Sequence, residues 1–325
     1  MRSNDRKALK VIDICRYDES FSDEVKKRFR SLWEEIVGHG DVMAGTISVA
    51  LEKGHPVGVC FLMATSTYQS ADLQHPGYLN MEYQAVSGED EIEICALLID
   101  TLIEDYRRIC EEEPDKRIIL RTFASPSSTE YMSFLASFGF RAQYFMYRMR
   151  KDLTEVVPED GDGSFSFEIK NRKGVSERID VKAVRIGSDG SADGLEGYFE
   201  ANGSVFGVPD SENELIYRLR EQNGIQFIAG VKGRVVAAVS IWENGPLSVS
   251  TENIFCIEKY RRLGVTEELL RGVCAFLAGK GYKEATLFVY GVNTYAVGLY
   301  TKLGYNIFGG TMHMLFEDGY VPELI

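Results

Sequence analysis

The sequence has few histidines, no patterned cysteines and no long apolar run. Its six cysteines (15, 60, 95, 110, 256 and 274) are scattered through apolar stretches, with neither a CxxC pair nor a histidine at metal-ligand spacing. They read as reduced, buried thiols in a cytoplasmic protein. The four histidines, at 39, 55, 75 and 313, form no ligand cluster, so no metal is expected. No segment approaches the length of a transmembrane helix, and the start MRSNDRKALK lacks a signal-peptide core, so no membrane partner is expected. Positive charge is also short. With 36 Lys and Arg against 49 Asp and Glu, the net charge of −13 argues against a general nucleic-acid binder and suits a basic or amine-bearing acceptor.

What is present is apolar substance and a repeat. At 325 residues and 45% hydrophobic composition the chain has room for two domains with real cores. Residues 9–17 read as a strand and Phe21–Val37 as an amphipathic helix with Val25, Phe29, Leu32, Trp33 and Ile36 inward. Thr46–Leu51 and Val57–Ala64 read as a hairpin turning at Lys53-Gly54. Tyr78–Val86, Ile92–Cys110, Arg117–Phe123, Thr129–Ser137 and Ala142–Arg150 then read as strand, helix, strand, helix and strand. Residues 151–165, polar and holding Pro158, Gly161 and Gly163, have a linker's composition. The order then recurs. SVALEKGHPVGVCFLM is echoed by FIAGVKGRVVAAVSIW with Lys232-Gly233 at its turn, and FLASFGF by LYTKLGY. Domains are therefore expected at 1–152 and 166–325, joined by a linker at 153–165.

The stretch from Glu252 to Tyr305 carries the chemistry. Asn253–Ile257 is a buried-strand pattern; a basic loop, Lys259-Tyr260-Arg261-Arg262-Leu263-Gly264, follows. A helix then runs with Val265, Leu269, Leu270, Val273, Cys274 and Leu277 on one face. Ala285–Tyr290 is a second strand and Thr294–Leu303 a second helix closed by Gly304. A basic, glycine-containing loop at a helix N-terminus suits phosphate, because backbone N–H groups converge and the dipole favours an anion.

Arg261-Arg262-Leu263-Gly264-Val265-Thr266 resembles the (Gln/Arg)-x-x-Gly-x-(Gly/Ala) loop of the GNAT superfamily of N-acetyltransferases. Asn293 and Leu299-Tyr300-Thr301-Lys302-Leu303-Gly304-Tyr305 resemble that family's ending. Thr266 departs from the pattern, standing where the family prefers Gly or Ala. The resemblance implies an α/β (α+β) fold of two tandem GNAT-type domains, each a mixed, mostly antiparallel sheet flanked by helices. It implies acetyl-CoA as co-substrate and acetyl transfer to a primary amine in a ternary complex. Cys256, Ile257, Arg261, Arg262, Leu263, Gly264, Val265, Thr266, Asn293 and Lys302 are the implied acetyl-CoA contacts, with a backbone N–H near Cys256 or Ile257 for the oxyanion. Tyr300 is the implied acid for the departing thiolate, and Glu252, in a Glu-x-apolar-Phe-Cys pattern similar to histone-type members, the candidate base. Each has a plainer reading: Tyr300 as packing, Glu252 as a surface residue, the arginines as solvated loop charges, Asn293 as a helix-opening turn.

The first half has Leu135 where the second has Tyr300, and Ser87-Gly88-Glu89-Asp90-Glu91 where the second has the arginine loop. It is expected to be a degenerate domain that does not hold acetyl-CoA in the family's manner. Two other functions stay open: a non-catalytic acyl-CoA sensor, and acyl transfer with another donor or acceptor, as in mycothiol-synthase-like or aminoacyl-transferring tandem proteins. The acceptor is a small-molecule or peptide amine, and a monomer or homodimer is expected. Gly187–Pro209, with Phe199 and Phe206, is expected over the acceptor site.

Overall fold

The structure, a computed structural model, describes all residues except 1–10, 19–21, 33, 35–40, 44, 89, 188–191, 208–210 and 320–325. Parts of the expected Phe21–Val37 helix and Gly187–Pro209 segment lie outside the described residues. The chain forms two compact units: Met1–Tyr144 with Thr311–Ile325, and Phe145–Gly310.

The first unit opens with β1 (Ile12–Arg16), α1 (Ser22–Arg28), β2 (Ser48–Glu52), β3 (His55–Ala64), α2 (Ser66–Gln69) and β4 (Gly77–Ala85). It continues with α3 (Glu91–Glu112), β5 (Ile118–Ala124) and α4 (Thr129–Ser137). β1 to β4 pair in sequence, all antiparallel, and β4 then pairs parallel with β5. The β2–β3 turn is Lys53-Gly54, both in the left-handed region (φ 52° and 82°), the two-residue turn whose twist matches a hairpin. In α3 the spacing Ile94, Leu98, Ile99, Leu102, Ile103, Tyr106, Ile109 buries one stripe in the core. Under it, Asp105 is 1% exposed and takes both guanidinium nitrogens of Arg16.

The second unit takes β6 (Arg141–Asp152) from Phe145 onward, then β7 (Phe165–Lys170), β8 (Ser176–Val184), α5 (Tyr198–Phe206), α6 (Glu212–Glu221), β9 (Ile225–Val231) and β10 (Arg234–Gly245). β11 (Ser248–Cys256), α7 (Val265–Gly279), β12 (Glu284–Tyr290), α8 (Thr294–Lys302) and β13 (Asn306–Phe316) follow. β7 to β11 pair antiparallel in sequence, and β11 then pairs parallel with β12; β8 to β12 thus repeat the order of β1 to β5, with β7 as an additional strand. Its hairpin turn, Lys232-Gly233 (φ 49° and 79°), repeats the first. In each unit the strands are mostly antiparallel and flanked by helices. Among the described residues no helix is long and apolar enough to cross a membrane.

Two features differ from the linear reading. β6 pairs antiparallel with β12, so residues 145–152 belong to the second unit; residues 312–316 of β13 pair with β5, so this end of β13 belongs to the first. Pairing decides this, not chain order. The stretch expected as a linker is also held down. Leu153 is buried, its N–H donating to Lys283; Glu159 N–H donates to Ala275 at 3.0 Å; and Phe165 begins β7 instead of ending a loop. A Cβ on Gly279 would come within 2.2 Å of the Glu159 carbonyl oxygen, so only glycine lets the segment lie against α7.

Candidate active site

The site is built where two parallel strands part. β11 and β12 pair only over Ser248–Ser250 against Glu284–Thr286; Thr251 Oγ1 still donates to the Thr286 carbonyl at 2.9 Å, and the strands then separate. The cause is a bulge in β11. Between Glu252 and Phe255 it carries one residue more than β10, and Asn253 there has φ 46°. Such a bulge bends and twists its strand. β11 meanwhile keeps β10 as partner as far as Cys256.

The strand register decides which backbone groups are open. The Ile257 N–H donates to the Val236 carbonyl at 2.9 Å. It is therefore spent, and the expectation that it meets an acetyl oxygen is corrected. Successive N–H groups of a strand point to opposite edges, so the Cys256 N–H faces the edge that β12 has left. The Cys256 carbonyl accepts from Arg261 Nε at 2.9 Å, which folds the loop back onto the strand end.

After a short turn at Glu258–Tyr260 the loop passes Arg262, a non-glycine residue at φ 65°, whose guanidinium lies 5.4 Å from the Tyr295 ring centre. Gly264, at φ 85°, is the residue before α7. Only glycine takes that conformation without a Cβ penalty. The first turn of α7 leaves N–H groups without helical partners, at the positive end of its dipole.

A cavity of about 650 Å³ fills the space between the strand end, the loop and α8. It is lined by Cys256, Arg261, Arg262, Gly264, Val265, Thr266, Asn293 and Tyr300 of the expected residues. Leu263 packs on the core, and Lys302 Nζ binds Glu267 Oε2 at 2.7 Å; neither lines the cavity, nor do Ile257 and Glu252. Glu252 accepts from Ser250 Oγ at 3.0 Å and lies 3.5 Å from Arg218. Asn293 caps α8 through Ala296 N–H at 3.2 Å, its plainer reading, while also lining the cavity. Thr266 lines the cavity with Cys256, whose thiol donates to the Ile257 carbonyl at 3.7 Å.

Burial sets the protonation states. Tyr300 is 7% exposed and its hydroxyl is pushed up to about 12 by desolvation, so it is a neutral donor at any working pH. Burial pushes the Cys256 thiol up to about 11, partly offset by Thr266, so it is no thiolate nucleophile. Lys302 and then Arg271 hold the Glu267 carboxyl below its ordinary range; its charge beside the loop is thus answered by two cations. Sequence reasoning missed Glu267, Tyr295 and Val205 as lining residues. The signal for Tyr295 was its spacing of four from Leu299, which puts both on one helix face. The expectation for Phe206 concerned the acceptor; α5 in fact brings Val205 and Phe206 to this cavity. Among the described residues no cluster of three or more His, Cys, Asp or Glu is placed to hold a metal.

The Acetyltransferase (GNAT) family model matches residues 195–305, which span the loop, Tyr300 and Tyr305. Those residues are a GNAT-family domain. No curated protein matches the chain in sequence. Among solved structures, a GCN5-related N-acetyltransferase from Sphaerobacter thermophilus is similar over 96% of this chain and 98% of its own, with TM-score 0.60 and 13% identity. A tandem GNAT protein from the clavulanic acid biosynthesis pathway covers 96% and 100%, with TM-score 0.54 and 11% identity. A Kribbella flavida GCN5-related N-acetyltransferase covers 94% and 71%, with TM-score 0.53 and 10% identity. At these identities the likeness speaks for the fold, a tandem GNAT fold over nearly the whole chain. The activity that goes with GNAT membership is acyl-CoA-dependent N-acyl transfer in general.

Proposed function

We propose that the second unit is an acetyl-CoA-dependent N-acetyltransferase acting on a primary amine by direct attack in a ternary complex. The observation that carries this is the single cavity of about 650 Å³ shared by the arginine loop, the α7 N-terminus, the open edge at Cys256 and the Tyr300 hydroxyl. Acetyl-CoA would supply the thioester. Arg261, Arg262 and the first N–H groups of α7 would hold its pyrophosphate, with Gly264, Val265 and Thr266 shaping the turn. The Cys256 N–H would polarise the acetyl carbonyl as the amine nitrogen bonds to its carbon. When the carbon–sulfur bond breaks, Tyr300 would give its proton to the sulfur. Glu252, outside the cavity lining, would take the amine proton through water. The neutral Cys256 thiol speaks for direct attack over an acyl-enzyme. The first unit, with buried Leu135 at the Tyr300 position, would not perform this transfer.

The test is isothermal titration of acetyl-CoA into wild type and an Arg261→Glu/Arg262→Glu double variant, followed by thiol release with a panel of amines. Wild type should bind, the double variant at least tenfold more weakly, and at least one amine should release thiol. Equal binding by both proteins would move the donor site elsewhere. Absence of binding would end the enzyme reading, and binding without turnover across the panel would leave an acyl-CoA sensor.

A further inference from the structure

The first unit repeats the strand parting of the second. β4 and β5 pair parallel only over Gly77–Asn80 against Ile118–Arg121 and then separate, while β4 keeps β3 as partner as far as Ala85. A cavity of about 600 Å³ opens at this position, lined by β4, the start of α3, β5 and α4. Its chemistry is the reverse of the second unit's. Glu82, Glu91 and Glu130 line it, and among the described residues no lysine, arginine or histidine does. At the place of Arg262 and Gly264, α3 opens with Asp90 as its cap and Glu91 in its first turn. An acyl-CoA pyrophosphate would face carboxylates there and no compensating cation from the lining.

The remaining walls are aromatic and apolar: Tyr83, Phe123, Tyr131 and Phe134, with Ile92 and Cys95 on α3. The Tyr83 and Tyr131 hydroxyls share a hydrogen bond of 2.6 Å. Burial raises both above the ordinary tyrosine value, Tyr83 the more strongly, so the pair stays protonated and offers ring faces and a lone pair, not charge. Carboxylates at the rim of an aromatic pocket suit an ammonium group through charge, and the ring faces add cation–π attraction to the same ligand. We propose that the first unit holds a second ligand site, specific for a small organic cation, a protonated amine on an apolar body, that occupies the parted β4–β5 strands. The argument uses the strand geometry and the lining of the first unit, not the activity proposed for the second.

Cys95 supplies a local reporter. It lines the cavity, is partly exposed, and its thiol is pushed up to about 11 by burial and by Glu91. The probe is spermidine, added to the full-length protein while iodoacetamide alkylates it at pH 8.5, with the Cys95 peptide read by mass spectrometry. Spermidine should slow Cys95 alkylation at least fivefold, and equally in the Arg261→Glu/Arg262→Glu variant; acetyl-CoA should leave it unchanged. In a Glu82→Gln/Glu130→Gln variant with an unaltered circular dichroism spectrum, spermidine affinity should fall at least tenfold. The wild-type protection stands on its own if that variant fails to fold. Protection by acetyl-CoA in place of spermidine would overturn the proposal, as would no protection by spermidine, or unchanged affinity in the folded variant. Failure of acetyl-CoA to bind anywhere would end the enzyme reading and leave this one untouched.

Discussion

Replacing Tyr300 by Phe removes one oxygen atom and keeps the ring. The ring is 7% exposed and stands 6.0 Å from Tyr305, centre to centre, in the core behind the cavity. With that packing retained, stability at pH 8 should change by no more than about 0.5 kcal/mol. If the hydroxyl protonates the leaving thiolate, kcat should fall by roughly 10²- to 10⁴-fold, about 3 to 5 kcal/mol of barrier, with the acetyl-CoA dissociation constant within about twofold of wild type. Thiol release in the presence of an accepting amine measures the first quantity, and titration calorimetry the second. The same hydroxyl gives a signature that does not depend on turnover. Its folded value of about 12 lies above the ordinary 10, so the folded state keeps the proton between these pH values while the unfolded chain releases it. That contribution to stability is complete below about pH 10 and is lost as pH rises towards 12. Wild type should therefore lose up to roughly 2 kcal/mol more than Tyr300→Phe between pH 10 and 11.5 in urea unfolding. A kcat within threefold of wild type, with cofactor binding intact, would refute the acid role.

Gly264→Ala puts a Cβ at φ 85° and should cost about 1 kcal/mol in urea unfolding, with acetyl-CoA bound several-fold more weakly because the α7 N–H groups are re-aimed. Among the described residues, Arg16→Ala leaves Asp105 buried with only the partly exposed Arg108, at 3.3 Å, as a cation partner, and should destabilise the first unit by about 2 to 4 kcal/mol, read as a lowered melting temperature. Gly279→Ala must push the Glu159 carbonyl off α7 and should cost about 2 kcal/mol, with faster proteolysis between 153 and 164; an unchanged protein would mean the segment does not hold the helix.

Much of the site was legible because its determinants are local. A helix that starts at Gly264 after two arginines, and one that ends Leu-Tyr-x-Lys-x-Gly-Tyr, each specify a conformation within a few residues. Hairpin turns at Lys53-Gly54 and Lys232-Gly233 are likewise written in adjacent residues, and both adopt positive φ. Roles that depend on which strand edge is free were not legible. Cys256 and Ile257 are adjacent and both apolar in sequence, yet only the pairing of Ile257 N–H with Val236 shows that one is spent and the other faces the gap. That Ser250 and Arg218 hold the Glu252 carboxylate outside the cavity lining, so that a proton must reach it through water, is likewise written in the fold and not in its place before Phe255-Cys256.

The amino-acid sequence by itself determined the repeat, the turn chemistry, the amphipathic faces of α3 and α7, and the contrast between an arginine loop and a glutamate-rich one. These depend on residue type and on spacings of two to four residues, which the chain carries wherever it is placed. Only the tertiary structure decided that β6 completes the second unit and β13 the first, that the polar stretch before Phe165 lies pinned on α7, and that both pairs of parallel strands part to leave a cavity. Strand partners are chosen by the edges left open once the rest of each sheet has formed, and those edges come from residues more than a hundred positions apart.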